Sequence, residues 1–113
     1  MVEAPGSEIQ EKLLEKKVLW IASVRPDGRP HLVPVWFIWH ADHFYFSTAP
    51  DSVKAHNMDA NPQVAVALED GTNPVICEGE AHAVAMPVAA EIADAFFRKY
   101  EWTLGTEEHF NQI

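Results

Sequence analysis

The sequence is poor in basic residues, in cysteine and in glycine, and it has no long apolar run. Eight Lys and Arg residues stand against 17 Asp and Glu, so the formal net charge is -9. Such a charge disfavours phosphate backbones and anionic membrane surfaces as partners. Cys77 is the single cysteine, which excludes an internal disulfide and a cysteine zinc cluster and fits a reducing cytoplasm. No run approaches the ~20 apolar residues of a membrane span. We therefore expect a cytoplasmic protein that binds neither nucleic acid nor membrane.

The composition that remains is that of one globular domain. The chain has 113 residues, of which 48% are hydrophobic. We predict a single domain over residues 8–113, preceded by a frayed arm at residues 1–7. No metalloprotease motif, glycine-rich phosphate loop or nucleophile elbow is present. His40 and His43 lack a third ligand nearby, so we interpret them as a solvated hairpin tip and predict no metal site.

Hydrophobic periodicity predicts the order helix, three strands, helix, two strands, helix. Ser7 and Gln10 have the spacing of a capping box, and Pro26-Asp27-Gly28 has the composition of a turn with Gly28 at positive φ. Short hairpins between the strands favour an antiparallel sheet, arranged as a small barrel with helices at its ends. The predicted elements are a helix at 7–17, strands at 18–25, 31–39 and 44–48, a helix at 51–58, strands at 63–68 and 74–84, and a helix at 87–100.

The predicted strand at 31–39 is apolar on both faces. Leu32, Trp36 and Ile38 lie on one side, and Val33, Val35, Phe37 and Trp39 lie on the other. A barrel strand buries one face only, so the other face requires cover from a partner subunit or a ligand. Pro34 has no N–H to donate, which indicates a bulge or an unpaired edge where backbone groups can meet a ligand.

Residues 47–54 combine hydroxyl groups with the start of a helix. Ser47 and Thr48 end a strand, and Ser52 and Lys54 begin the helix that follows. A helix N-terminus offers free N–H groups and the positive end of a dipole, and Lys54 adds a charge. These groups suit one phosphate. An ordinary capped helix with a surface lysine explains the same residues equally well.

Four segments give the chain a resemblance to a known family: SVRPDGRPHLVPV (23–35), WFIWHADHFYFST (36–48), SVKAHNMDANP (52–62) and VICEGEA (75–81). In these segments it resembles the pyridoxamine 5′-phosphate oxidase-like proteins that bind FMN or the deazaflavin F420. The resemblance implies a mainly β fold with helices, a six-stranded antiparallel split β-barrel of Greek-key type. It also implies a homodimer with two cofactor sites at its interface, which would cover the two-faced strand.

The resemblance assigns one group of residues to the cofactor phosphate. Ser52 and Lys54 match positions that contact the phosphate. Ser47 and Thr48 match the strand end beside the phosphate and the ribityl chain. The family often has arginine beside the lysine, where this chain has Val53, so the phosphate site has one charge fewer.

A second group is assigned to the cofactor ring. Val33, Pro34, Val35 and Trp36 match the strand whose backbone runs along the ring, and Asn57 matches a recurrent position after the lysine. No catalytic side chain is identified, because the redox chemistry belongs to the cofactor.

The expected function is that of an FMN-dependent oxidoreductase, which exchanges hydride with a small organic substrate. The alternatives are an F420-dependent reductase and a non-enzymatic cofactor carrier. The acidic tail of F420 fits poorly with the net charge of -9, which favours FMN. A lysine near Phe37 and basic residues near the C-terminus are absent, so vitamin B6 oxidation is not expected. The sequence ends at Ile113, where the family continues into a strand that closes the barrel, so we expect that strand to be missing.

Overall fold

The computed structural model describes residues 6–85, 88–102 and 109–113. Three helices and eight strands form in these ranges. In chain order they are α1 (Ser7–Glu15), β1 (Leu19–Val24), β2 (Pro30–Val35), β3 (Ile38–His40), β4 (His43–Thr48), α2 (Val53–Ala60), β5 (Gln63–Leu68), β6 (Ile76–Glu80), β7 (His82–Ala83), α3 (Ala90–Tyr100) and β8 (His109–Gln112).

The strands form two antiparallel sheets, which confirms the expected mainly β architecture. Sheet 1 has the order β2-β1-β5-β6, and sheet 2 has the order β3-β4-β8-β7. The main core takes Leu19, Ile21 and Val66 from sheet 1 and Phe44 and Phe46 from sheet 2. The apolar alternation along each strand therefore places one face of each sheet in a shared core.

The single strand predicted at 31–39 is wrong, because the chain leaves sheet 1 after Val35 and enters sheet 2 at Ile38. A straight strand would turn the consecutive residues Phe37 and Ile38 to opposite faces. The break lets both be buried: Phe37 joins the main core, and Ile38 joins a second cluster with Ile92 and Phe96 of α3.

The strand predicted at 74–84 is also divided, between β6 of sheet 1 and β7 of sheet 2. The change of sheet falls at Ala81, which is buried and donates its N–H to the carbonyl oxygen of Pro62 at 2.8 Å. Both divisions occur where a run of strand-forming residues supplies apolar side chains to two sheets.

A strand that the periodicity did not predict, β8, lies between β4 and β7. Backbone bonds of 3.0 and 3.1 Å join Ile113 to Phe44 next to this strand. The described residues therefore form eight strands where periodicity predicted five, because two predicted strands are each divided and β8 is added.

The helix and turn predictions have mixed outcomes. Gly28 adopts a φ of 92° in the β1–β2 turn, as predicted. The capping box is wrong, because the N-cap of α1 is Gly6 and Ser7 is the first helical residue. The arm predicted at 1–7 thus overlaps α1 at Ser7, while residues 1–5 lie outside the described residues. Pro87 lies outside them too, and α3 begins at Ala90.

Within the described ranges, no helix has the length and apolarity that crossing a bilayer requires.

Candidate functional site

β2 is an edge strand of sheet 1, which confirms the unpaired edge predicted at Pro34. In an antiparallel pair the backbone groups of every second residue face the partner strand. Pro30 and Pro34 belong to the same alternating set of β2 residues, and neither has an N–H. Proline is tolerated at these positions when its nitrogen points away from β1. Leu32 lies between them in the same orientation. Its N–H and C=O are therefore directed to the open edge.

The residues predicted to run along a cofactor ring lie in two different environments. Val35 is buried and Val33 is half-buried on the core side of β2, whereas Pro34 is exposed on the outer side. Trp36 follows the strand and remains 52% exposed. Its ring stacks on Tyr100 of α3, with centroids 4.6 Å apart and planes 5° from parallel.

The start of α2 places backbone donors beside a lysine. Ser52 is the N-cap: its hydroxyl accepts from the Ala55 N–H at 3.2 Å and donates to the Ala49 carbonyl at 2.8 Å. The first intrahelical bond runs from the His56 N–H to the Ser52 carbonyl, so the N–H groups of Val53 and Lys54 precede it. Lys54 is half-buried and forms no ion pair within the described part of the chain.

Two other predicted site residues are buried and bonded inside the protein. The Asn57 amide, 1% exposed, donates to the Ser23 hydroxyl of β1 at 3.1 Å. The Thr48 hydroxyl accepts from the Asn111 amide of β8 at 2.9 Å. These bonds tie α2 to sheet 1 and β4 to β8. Ser47, by contrast, is half-buried at the end of β4. The cofactor roles of all three residues remain predictions.

His31 was missed by the sequence analysis, although it lies beside this region. It pairs with Ser23 across β1 and β2, on the same inner face as Val33. Its Nδ1 atom is shielded from solvent and has no hydrogen-bond partner among the described residues. The period-two pattern of β2, which turns Val33 and Val35 inward, predicts the inward position of His31 as well.

A second polar arrangement lies at the end of α3. The Tyr100 hydroxyl accepts from the Phe37 N–H at 3.0 Å, and its proton is shared between the carbonyls of Lys17 and Phe37, both at 2.8 Å. Burial raises the pKa of Tyr100 to about 12. The neighbouring Lys99 ammonium lies 3.8 Å from the centroid of the Phe37 ring.

Two clefts of the described surface lie away from the predicted cofactor residues. The larger, of about 720 Å³, lies between α1 and residues 70–75. The smaller, of about 310 Å³, lies between α1, β3 and α3.

Comparisons with known proteins identify the fold. The family model described as pyridoxamine 5′-phosphate oxidase matches residues 6–110. A solved F420 reductase is 26% identical with a TM-score of 0.70, covering 90% of this chain and 89% of that one. A conserved hypothetical protein from Mycobacterium tuberculosis is 23% identical with a TM-score of 0.81, covering 99% and 81%. A heme storage protein from Vibrio cholerae is 19% identical with a TM-score of 0.76, covering 92% and 84%.

No curated protein matches the chain. The similarity to the solved structures confirms the split β-barrel expected from the sequence.

Proposed function

The chain belongs to the pyridoxamine 5′-phosphate oxidase family, and from this premise we propose that it is a cytoplasmic oxidoreductase that binds FMN. The start of α2 carries this proposal. There the N–H groups of Val53 and Lys54 precede the first intrahelical bond, and the Lys54 ammonium has no carboxylate partner among the described residues. On a protein with a net charge of -9, this is an arrangement that fits a phosphate.

The open edge of β2 supports the proposal that the cofactor ring binds beside this strand. The N–H and C=O of Leu32 are directed outward, and a flavin-type ring has both donors and acceptors on its edge. The chain's contribution is to hold the ring beside a small organic substrate and to exclude water, while the cofactor supplies the hydride chemistry. Val33 and Trp36 flank the proposed ring position from β2 and from the segment after it.

We propose that two copies of the chain associate through the outer face of sheet 1. This face has apolar side chains on all four strands, beside the acidic Glu78 and Glu80 of β6, and two of the large apolar side chains are mostly exposed, Leu32 at 61% and Ile76 at 64%. Pairing places Trp20, Ala22 and Ala67 on the same face. Contiguous exposed apolar surface of this kind is typical of an interaction site, and a second copy would also enclose the β2 edge.

The dimer is tested by Leu32→Asp, with Ile9→Asp as the matched control. Leu32 lies on the proposed interface, and Ile9 is an exposed apolar residue of α1. A carboxylate buried without a partner is strongly unfavourable, so Leu32→Asp is expected to be monomeric by light scattering while Ile9→Asp remains dimeric. A dimeric Leu32→Asp protein would place the interface elsewhere.

F420 is the second candidate cofactor. The F420 reductase, 26% identical over 90% of this chain, favours it. The net charge of -9 opposes it, because the tail of F420 is itself acidic.

The deciding experiment is titration of the purified protein with FMN and, separately, with F420, followed by ligand fluorescence. Saturation by FMN at about one per chain is the expected result. Saturation by F420 alone would replace the cofactor, and binding of neither would overturn the proposal. The loaded protein is then reduced and offered a panel of small organic acceptors. Reoxidation by an acceptor supports the oxidoreductase, and tight binding without reoxidation supports a cofactor carrier.

A further inference from the structure

The smaller cleft, between α1, β3 and α3, combines an apolar wall with two cations. Its lining residues are Leu14, Ile38, Trp39, Ala95, Arg98 and Lys99. Four of them are apolar, two are basic, and no acidic residue is among them. None belongs to the region proposed for FMN. At about 310 Å³, the cleft is at the lower end of the size range of small-molecule sites.

Lys99 has an unusual environment for a cation. Its ammonium lies over the Phe37 ring at 3.8 Å and donates a long hydrogen bond of 3.4 Å to the Leu13 carbonyl. It has no carboxylate partner within the described residues. Burial, and to a smaller extent the charge of Lys17, lowers the pKa of Lys99 to about 8. A bound anion would offset both effects.

Two further basic residues lie near Lys99 along the chain or in space, Lys17 and Arg98. Lys17 approaches from the end of α1, with its ammonium 6.0 Å from the Tyr100 ring centroid. Arg98 is the neighbouring residue of α3, and its Nε donates to the Asp94 backbone carbonyl at 3.4 Å. β3 contributes Ile38 and Trp39, which do not titrate. Arg98 and Lys99 therefore place two positive charges at this cleft on a protein of net charge -9.

We propose that this cleft binds a small organic carboxylate with an apolar body. The carboxylate would be held between Lys99 and Arg98, and the body would pack on Trp39, Ile38 and Leu14. Arginine and lysine both form charge-assisted hydrogen bonds with carboxylates, and a partly buried position strengthens them. The apolar wall distinguishes such a ligand from a free inorganic anion.

The test uses a naphthalene carboxylate as the probe and its uncharged carboxamide as the matched ligand. Binding to the full-length protein is followed by heteronuclear NMR. The carboxylate is expected to shift the backbone signals of residues 95–99 and to bind on the order of tenfold more tightly than the carboxamide. Equal affinities would show that the cleft does not recognise the charge and would overturn the proposal.

Two variants with the same net charge test whether the carboxylate binds at Lys99. Lys99→Met is expected to weaken carboxylate binding on the order of tenfold. Arg29→Met lowers the net charge equally but changes a residue of the β1–β2 turn, so it is expected to leave the affinity unchanged. Equal losses in both variants, or displacement of the probe by FMN, would also contradict the proposed site.

Lys99→Arg tests whether the charge of Lys99 binds the carboxylate, and it can be used if Lys99→Met does not fold. In the unmodified protein, carboxylate affinity is expected to fall as the pH rises through about 8, because Lys99 then loses its charge. An arginine stays protonated, so Lys99→Arg is expected to bind with little pH dependence over that range. An unmodified protein whose affinity does not change through this range would remove Lys99 from the site.

Discussion

Lys54 and Lys99 are the two cations on which the proposed sites depend, and their surroundings are opposite. Lys54 lies in the first turn of α2, where the helix dipole adds to its charge and no aromatic ring of the described residues covers it. Lys99 lies in the last turn of α3, over the Phe37 ring and beside a backbone carbonyl. Both lysines are half-buried, but Lys99 is covered by groups of its own chain that Lys54 lacks among the described residues. The proposed dimer would supply the missing cover at α2 from a second copy.

Phe96→Ala disrupts the packing around α3, next to Lys99, and has the largest expected effect. Phe96 is fully buried, and its ring lies 6.0 Å from Tyr100 and 5.8 Å from Trp102. Removing a buried aromatic ring costs about 3–5 kcal/mol of the free energy of unfolding. Urea unfolding measures the loss. Phe97→Ala is the control, because Phe97 is 55% exposed, and an equal loss there would contradict the packing of α3.

Lys54→Ala tests the proposed phosphate site at the start of α2 and has an intermediate expected effect. It is expected to weaken FMN binding by about 1–3 kcal/mol, as for the loss of a hydrogen bond to a charged group, and to leave the free energy of unfolding nearly unchanged. Fluorescence titration measures the affinity. Arg29→Ala removes the same charge from the β1–β2 turn and is expected to bind as the unmodified protein does. Unchanged affinity of Lys54→Ala would remove the phosphate assignment.

The pH dependence of stability separates Lys99 from Tyr100 and is the smallest effect. The pKa of Lys99 is lowered from 10.5 to about 8, so between these values the unfolded chain holds a proton that the folded chain has lost. The free energy of unfolding therefore rises with pH in this window through Lys99. The pKa of Tyr100 is raised from 10.0 to about 12, so its contribution is complete below pH 10 and is lost as the pH rises through 12.

Urea unfolding of Lys99→Met at a series of pH values checks this sign. The variant is expected to lack the part of the rise that begins near pH 8. A variant with the same pH slope as the unmodified protein would show that Lys99 titrates normally in the folded state.

Regular strands were predictable from the sequence, and changes of sheet were not. β5 has the predicted bounds, Gln63–Leu68, because its residues alternate between buried and half-buried positions. The division between β2 and β3 depends on Phe37 and Ile38 entering two different clusters. A pattern of apolar residues cannot distinguish that division from a strand with two buried faces.

The candidate site was also only partly predictable from the sequence. Ser52 caps α2, which begins at Val53, two residues after the predicted start, and α1 begins at Ser7 as predicted but has Gly6 rather than Ser7 at its cap. The roles of Asn57 and Thr48 depend on partners that lie 34 and 63 residues away in the chain. Local sequence predicts a helix start, but it does not indicate which distant hydroxyl or amide will meet a buried polar side chain.

The position of β8 has a consequence for the order of folding. β4 pairs with β8, and the Asn111–Thr48 bond spans 63 residues. Sheet 2 therefore cannot be completed on the ribosome until residue 112 has emerged, whereas β1 and β2 can form their hairpin early. Closing so long a loop is entropically costly, and long-range pairing slows folding. Until β8 emerges during synthesis, one edge of β4 is unpaired. In this interval the edge can pair wrongly with another copy of the chain.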